Sequence, residues 1–384
     1  MIAPSLSPQS PSSRPEQQTA SSSTAKWRAP RISPKLVILS GAPERTAGES
    51  NRAQSKDPEK AQPATTARPF LPQFLLLLSL LLLTLPTPAQ KAAPAGPVSG
   101  PVSGQAVYSL TQQFLAVAPK RFNGSPGHLA AENFIKQHFK PEAAKGNLET
   151  DQFTANTPAG QQTMRNYIVR FPGKKDGAIV LASHYETNYP LKDIAFYGAN
   201  DGACTTALLI SLGEYFRTHP PQGYSVWLVF DDGEEAVKDW YANNGTDNLY
   251  GTKHLAAKWY ADGTLKRIKA LLVADMIGDK ELDILEETGS TPWLRALFKQ
   301  AAANTHHSAY VFQTQGSEED DHLPFLKRGV PSLDVIDVDY GPHTASAPDG
   351  YHHTAEDTID KISPQSLQIS ADLFLETIRL INQR

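Results

Sequence analysis

Between Tyr224 and Phe230 the chain runs Tyr-Ser-Val-Trp-Leu-Val-Phe, bounded by Gly223 on one side and by Asp231-Asp232-Gly233 on the other. A short, β-rich apolar run with turn-forming flanks predicts a buried central strand. The same pattern recurs at Ala178–Ser183, Ile268–Asp275 and Ser332–Ile336, and more weakly at Asn166–Phe171. Pro172 to Gly177 reads as a turn, which makes Asn166–Phe171 and Ala178–Ser183 neighbouring strands. Helical spacing takes over between these runs. Behind Ser125-Pro126-Gly127, residues Leu129, Phe134, Ile135 and Phe139 recur on one face. Further helices are expected over 203–216, 249–259, 292–304, 322–327 and 363–381. Strands that alternate with helices predict a single-domain α/β sandwich with a mixed, largely parallel central sheet flanked by helices. No internal duplication interrupts this order.

The first third of the chain obeys different rules. Residues 1–67 are rich in Ser, Pro, Gln and Ala and poor in large apolar residues. Such a segment cannot bury enough surface to offset its ordering entropy, so disorder is expected there, or an extension that is never translated because synthesis starts later. Residues 74–85 are a twelve-residue, nearly pure Leu run preceded by Arg68. That length is short for a membrane span but fits the apolar region of a signal peptide, with Thr87-Pro88-Ala89 as the cleavage site. Residues 68–90 are therefore read as a signal peptide or membrane anchor, and the protein as exported, periplasmic or secreted. The repeat Gly-Pro-Val-Ser within residues 91–106 reads as a linker, leaving 107–384 as the catalytic domain.

Composition narrows the chemistry. A net charge of -4 over 384 residues offers no nucleic-acid surface. The one cysteine, Cys204, excludes an intramolecular disulfide and any multi-thiolate metal site. Carboxylates and imidazoles remain, and they gather at the ends of the expected strands. His184 ends Ala178–Ser183. Asp201 stands in the loop Gly198-Ala199-Asn200-Asp201-Gly202. Glu234 and Glu235 follow the central strand, and Asp275 ends the next. Later loops carry Glu318 to His322 and His352-His353. Adjacent carboxylates repel unless a cation or shared protons compensate, and ligands of open α/β sheets bind beyond the carboxyl ends of the strands. A mixture of imidazole and carboxylate without thiolate suits a catalytic zinc ion with an open coordination position.

In order along the chain, His184-Tyr185-Glu186, Asn200-Asp201-Gly202-Ala203, Phe230 to Ala236, Leu249 to Ala256, Asp275 to Gly278, Asp320 to Pro331 and His353-Thr354 resemble the zinc aminopeptidase-like superfamily. Within it they resemble the glutaminyl-peptide cyclotransferases, or glutaminyl cyclases. The Asp-Gly-Glu-Glu-Ala and Asp-Asp-His-x-Pro-Phe-Leu segments are the specific ones. The resemblance implies Asp201, Glu235 and His353 as zinc ligands and Glu234 as the proton-transfer carboxylate. It further implies that Asp275 and Asp320 support Glu234 through a shared-proton network. Trp240 and His352 fall at substrate-binding positions. The implied reaction is cyclisation of an N-terminal glutamine of a peptide or protein to pyroglutamate with loss of ammonia, on one zinc ion. Two departures stand out. His352 occupies a position where these enzymes carry Trp, and Asp334 one where they carry His. His343-Thr344 is a second His-Thr pair, but Thr354 to Thr358 continue as the superfamily does, which favours His353.

Two other readings compete. In a two-zinc aminopeptidase, His184, Asp201 and Asp275 would hold a second ion, and Glu234 would activate water. A non-catalytic interaction domain on the same scaffold should have lost ligands, and this chain keeps them all.

Overall fold

The computed structural model describes residues 100–345 and 347–384, all within the unit running from Gln90 to Arg384. The readings made for residues 1–67, the Leu-rich run 74–85 and the cleavage site at 87–89 lie outside the described residues.

The described chain opens with helix α1 (Gly104–Val117), then α2 (Pro126–His138) and the short α3 (Lys140–Ala144). A hairpin of β1 (Leu148–Thr157) and β2 (Gly160–Phe171) leads to β3 (Lys175–His184), α4 (Cys204–Thr218) and β4 (Tyr224–Asp231). After the single turn α5 (Ala242–Gly245) come α6 (Tyr250–Ala261), β5 (Ile268–Asp275), β6 (Ile284–Glu287), α7 (Pro292–Asn304) and β7 (Val311–Gly316). Helix α8 (His322–Leu326), β8 (Ser332–Ile336) and the long α9 (Pro364–Gln383) close the chain. Six strands form one sheet in the order β1-β2-β4-β3-β5-β8. The β3/β4, β3/β5 and β5/β8 pairs are parallel and the β1/β2 and β2/β4 pairs antiparallel. The mixed, mostly parallel sheet is as expected.

Strand alternation sorts the core into two layers. Ile179, Leu181, Leu272 and Ala274 face one cluster with Val107, Phe114, Leu208 and Phe374 from α1, α4 and α9. Val180, Ala182, Leu271 and Val273 face the other, with Leu255, Trp259 and Phe325 from α6 and α8. Each such side chain contributes about 1.5–3 kcal/mol by leaving water. Leu228 on β4 is fully buried, and truncation to Ala there costs about 2–5 kcal/mol. Serines set the helix starts. Ser125 accepts the His128 N–H at 2.9 Å and Ser363 that of Ser366 at 3.0 Å, each followed by a Pro at the first helical position.

The structure corrects the sequence reading in three places. Strands β2 and β3 are not neighbours, because β4 lies between them, pairing Val229 with Ile168 on one edge and with Ala182 on the other. A strand buried on both faces and bonded on both edges is the one its unbroken apolar run predicts. The hairpin partner β1 went unread because its mixed burial leaves no clean alternation. The third correction is where the packed chain begins. Ser103 caps α1, Val102 is buried, and Gly104 approaches α9 so closely that a Cβ would fall 2.0 Å from the Pro364 carbonyl oxygen. Residues 100–106, read as linker, are thus part of the packed body.

Candidate active site

The site lies beyond the carboxyl ends of β3, β4, β5 and β8, where sheet geometry brings loops from four places in the chain together. Nε2 of His353 lies 2.9 Å from Oε1 of Glu235 and 3.5 Å from Oδ2 of Asp201. Bonds of about 2.0 Å at tetrahedral angles put ligand atoms about 3.3 Å apart, and both of these separations lie near that spacing. Asp201 Oδ2 is buried without a hydrogen-bond partner, as an oxygen reserved for a cation would be. The second trio is brought together as well. His184 Nε2 stands 3.1 Å from Asp201 Oδ1 and 3.4 Å from Asp275 Oδ1. His352 lies against His353 with ring centroids 3.8 Å apart and the planes tilted by 33°, and its ring reaches within 4.8 Å of the ligand atoms of Asp201 and His353. The rival His343 is elsewhere, on the surface, bonded to Asp339 at 2.7 Å and to the Pro348 carbonyl.

Backbone geometry aims these groups. His353 has φ 55° and Met276, directly after Asp275, φ 50°. Non-glycine residues held in the left-handed region store strain of about 1–3 kcal/mol and cluster where a site over-determines them. The Asp201 loop turns on Gly202 at φ 84°, where a Cβ would meet His184 Cε1 at 2.9 Å. Asp357 holds the same loop by accepting the N–H groups of Asn200 at 2.8 Å and Asp201 at 3.2 Å. It also accepts the Tyr340 hydroxyl at 2.7 Å.

Glu234 is buried beside Glu235. Burial, then the charge of Glu235 and those of Asp321 and Asp320, push its carboxyl well above the ordinary range, against the opposing pull of His184. A carboxyl so placed can hold a proton at neutral pH. Asp320 is raised likewise, by burial and by the charges of Asp275 and Asp321. Burial and the charge of Asp320 raise its partner Asp334. Two buried acids paired in this way are expected to share a proton. His322 lies behind the pair, with Nδ1 3.7 Å from Asp334 and Nε2 3.5 Å from Glu287.

Not every acid in the 231–235 cluster serves this centre. Asp232 points away, accepting from His128 Nε2 at 2.8 Å and the Arg165 N–H at 2.7 Å, while Arg165 also bonds Glu132. Asp231 faces Asp321, which accepts the Thr252 hydroxyl. Trp240 is partly exposed, and its indole N–H donates to Glu319 at 3.2 Å, next to Asp320 in sequence.

Sequence reasoning missed Asn188 and Asp357. The Asn188 amide donates to Glu235 Oε2 at 2.8 Å and lies 3.3 Å from His353 Nε2. A lone Asn in a loop carries no pattern that would have singled it out.

Comparison with known proteins places this geometry. Residues 166–378 match peptidase family M28, and the chain belongs to that family. It is 70% identical to a glutaminyl cyclase from an Acidobacteriales bacterium of known crystal structure, covering 77% of this chain and all of that one, with a TM-score of 0.73. A glutaminyl-peptide cyclotransferase-like protein of Bos taurus is 29% identical over 275 residues, 64% of this chain and 68% of that protein. A Zn-dependent exopeptidase from Parabacteroides distasonis shares the fold at 20% identity and a TM-score of 0.61, covering 76% of this chain and all of that one. Within family M28 the chain is thus one of the glutaminyl cyclases.

Proposed function

We propose that this enzyme cyclises N-terminal glutamine of peptides and proteins to pyroglutamate at a single zinc site held by Asp201, Glu235 and His353. The observation that carries the reading is the buried Glu234 carboxyl beside that trio, in a chain 70% identical to a glutaminyl cyclase. Zinc, when bound, supplies Lewis-acid polarisation of the substrate's γ-carboxamide. The chain supplies the proton traffic. Glu234 takes a proton from the α-amine as the nitrogen–carbon bond of the ring forms. It returns that proton to the departing amide nitrogen as the carbon–nitrogen bond breaks, and ammonia leaves. Asp275 and Asp320 stabilise Glu234 in its protonated form. Trp240 and His352 line the approach of the substrate, where they fix the near-attack geometry of an intramolecular reaction.

We assign one ion, as the resemblance to the glutaminyl cyclases implies; His184, with Nε2 3.1 Å from Asp201 Oδ1 and 3.4 Å from Asp275 Oδ1, would hold the second ion of the aminopeptidase reading.

We further assign an export signal within residues 68–90, cut after Ala89, and residues 100–384 as the catalytic domain. No helix among the described residues is long and apolar enough to cross a membrane.

One assay tests the function. Zinc-loaded protein and a Gln-initiated peptide are followed by mass and ammonia together. A loss of about 17 mass units with equimolar ammonia is the expected result. Release of the first residue, with two zinc ions per chain, would establish the aminopeptidase reading instead.

A further inference from the structure

Arg121 lies between α1 and α2, far in sequence from every residue of the site, and it is fully buried. Among the described residues its guanidinium touches no carboxylate within hydrogen-bond distance. It donates instead to backbone carbonyls: Nε to Tyr185 at 2.9 Å, Nη1 to Tyr197 at 2.7 Å and Ala118 at 3.4 Å, Nη2 to Gly198 at 3.0 Å and Asp201 at 3.3 Å. All five N–H donors are used. Four of the five acceptors belong to two loops, one carrying His184 and Glu186 and the other carrying Asp201. The Arg121 backbone N–H also donates to Thr187 Oγ1 at 3.1 Å, next to Asn188, which orients Glu235. The Phe114 ring supports the guanidinium from below, 5.1 Å from its central carbon.

Packing does not account for such a residue. A buried charge is costly to desolvate, and a well-packed apolar side chain of the same volume is often as stable or more so. What a guanidinium does that an apolar group cannot is hold several carbonyls at fixed directions in one plane. Here the carbonyl side of the Asp201 loop rests on Arg121 while its N–H side rests on Asp357. The loop is clamped between a cation and an anion, and Asp201 projects from the clamp towards His353. Gly198 makes the approach possible. At φ 56°, it carries no side chain where a Cβ would lie 2.5 Å from the Asp201 carbonyl oxygen and 3.0 Å from Arg121 Nη2.

We propose that Arg121 is a positioning residue for the metal centre, fixing the backbone of the Asp201 loop against the His184–Glu186 loop so that the Asp201 carboxylate is pre-aimed at zinc. This rests on the assignment of Asp201 as a ligand. Removing an outer partner of a metal ligand typically lowers metal affinity 10- to 100-fold, so that is the size of effect expected.

The test measures zinc affinity by competition against a graded chelator, on protein shown to be folded by circular dichroism, beside kcat and KM at saturating zinc. Arg121→Lys keeps the charge but loses the planar fork. Gly198→Ala keeps Arg121 intact and wedges a methyl group between it and the Asp201 carbonyl. Both should lose zinc affinity 10- to 100-fold while much of kcat returns at saturating zinc. Glu142→Gln, which breaks the remote pair with Arg217, should lower melting temperature without moving zinc affinity. Wild-type zinc affinity in either folded clamp variant overturns the proposal. Failure of both to fold overturns it as well, since Arg121 would then be a general stability element. Asp201→Asn is run alongside: if it binds zinc as the wild type does, the ligand assignment fails, and that result is separate from the fate of the clamp.

Discussion

Nε2 of His353 lies 2.9 Å from Oε1 of Glu235, a residue 118 positions earlier in the chain. Neither side chain is free to drift. The Glu235 N–H is held by Glu186 Oε1 at 3.1 Å and its second carboxylate oxygen by Asn188, while His353 is fixed by its left-handed backbone. On the proposed assignment, the pair is a preformed half of the zinc site. His353→Ala should release zinc on dialysis and abolish activity. His343→Ala, at the other His-Thr pair, should leave both unchanged. Asn188→Ala removes one orienting bond and should weaken zinc 10- to 100-fold. Zinc content by atomic absorption, read beside activity, decides among these.

Glu234 has a different job from its neighbour, and a neutral isostere separates the two. Glu234→Gln leaves the shape of the pocket but cannot accept a proton from the amine. Zinc should stay bound with wild-type affinity while cyclisation falls about 10²–10⁴-fold, the usual worth of a placed acid–base group. Loss of zinc together with activity would instead make Glu234 a ligand, and the roles of the Glu234–Glu235 pair would have to be exchanged.

The strands and helices that carry the site were legible because buried apolar runs and Ser-Pro helix starts are local signals. The candidate ligands Asp201, Glu235 and His353 were singled out by residue type and by the resemblance, and the fold brings Asp201 and Glu235 to His353. The order of the sheet was not legible, since nothing local says that β4 inserts between β2 and β3. Nor were the supports. Arg121, Asn188 and Asp357 act on backbone groups or on side chains across distances of 47 to 157 residues, and their partners exist only after the sheet has formed. Asp232 errs the other way: it looks like part of the acidic centre in sequence, yet its strand-end position turns it towards His128.

Asp337, which accepts the N–H groups of Asp283 and Asp339 rather than bonding a candidate ligand, offers a check of a different kind. It is fully buried, and burial pushes its carboxyl from 3.8 up to about 7, with the charge of Asp279 adding to the shift and the N–H groups of Asp283 and Asp339 opposing it. A raised folded-state value means that the native protein keeps a proton that the unfolded chain gives up from about pH 4. The stabilising contribution is complete below that pH and is lost as pH rises through about 7. Asp337→Asn cannot ionise, so it should gain on the wild type between pH 4.5 and 7.5, by a difference on the order of a kcal/mol or more. Denaturant titrations of both proteins at the two pH values give the comparison. A constant difference would show that Asp337 does not carry the proton.

The export reading leads to one more consequence, for the chain's own beginning. A cut after Ala89 leaves Gln90 as the first residue of the exported protein, followed by Lys91-Ala92-Ala93. An N-terminal glutamine is the substrate of the activity proposed here, so the enzyme should process its own mature end, one molecule acting on another. The exported wild type should then carry pyroglutamate at position 90, about 17 mass units lighter than the sum of its residues and closed to stepwise N-terminal degradation. The Glu234→Gln protein, exported in the same cells, should begin with an open glutamine and become blocked when mixed with active enzyme. A start at any other residue sinks the cleavage site without touching the enzymology. An open Gln90 on protein that cyclises peptides would show instead that this end is withheld from the site.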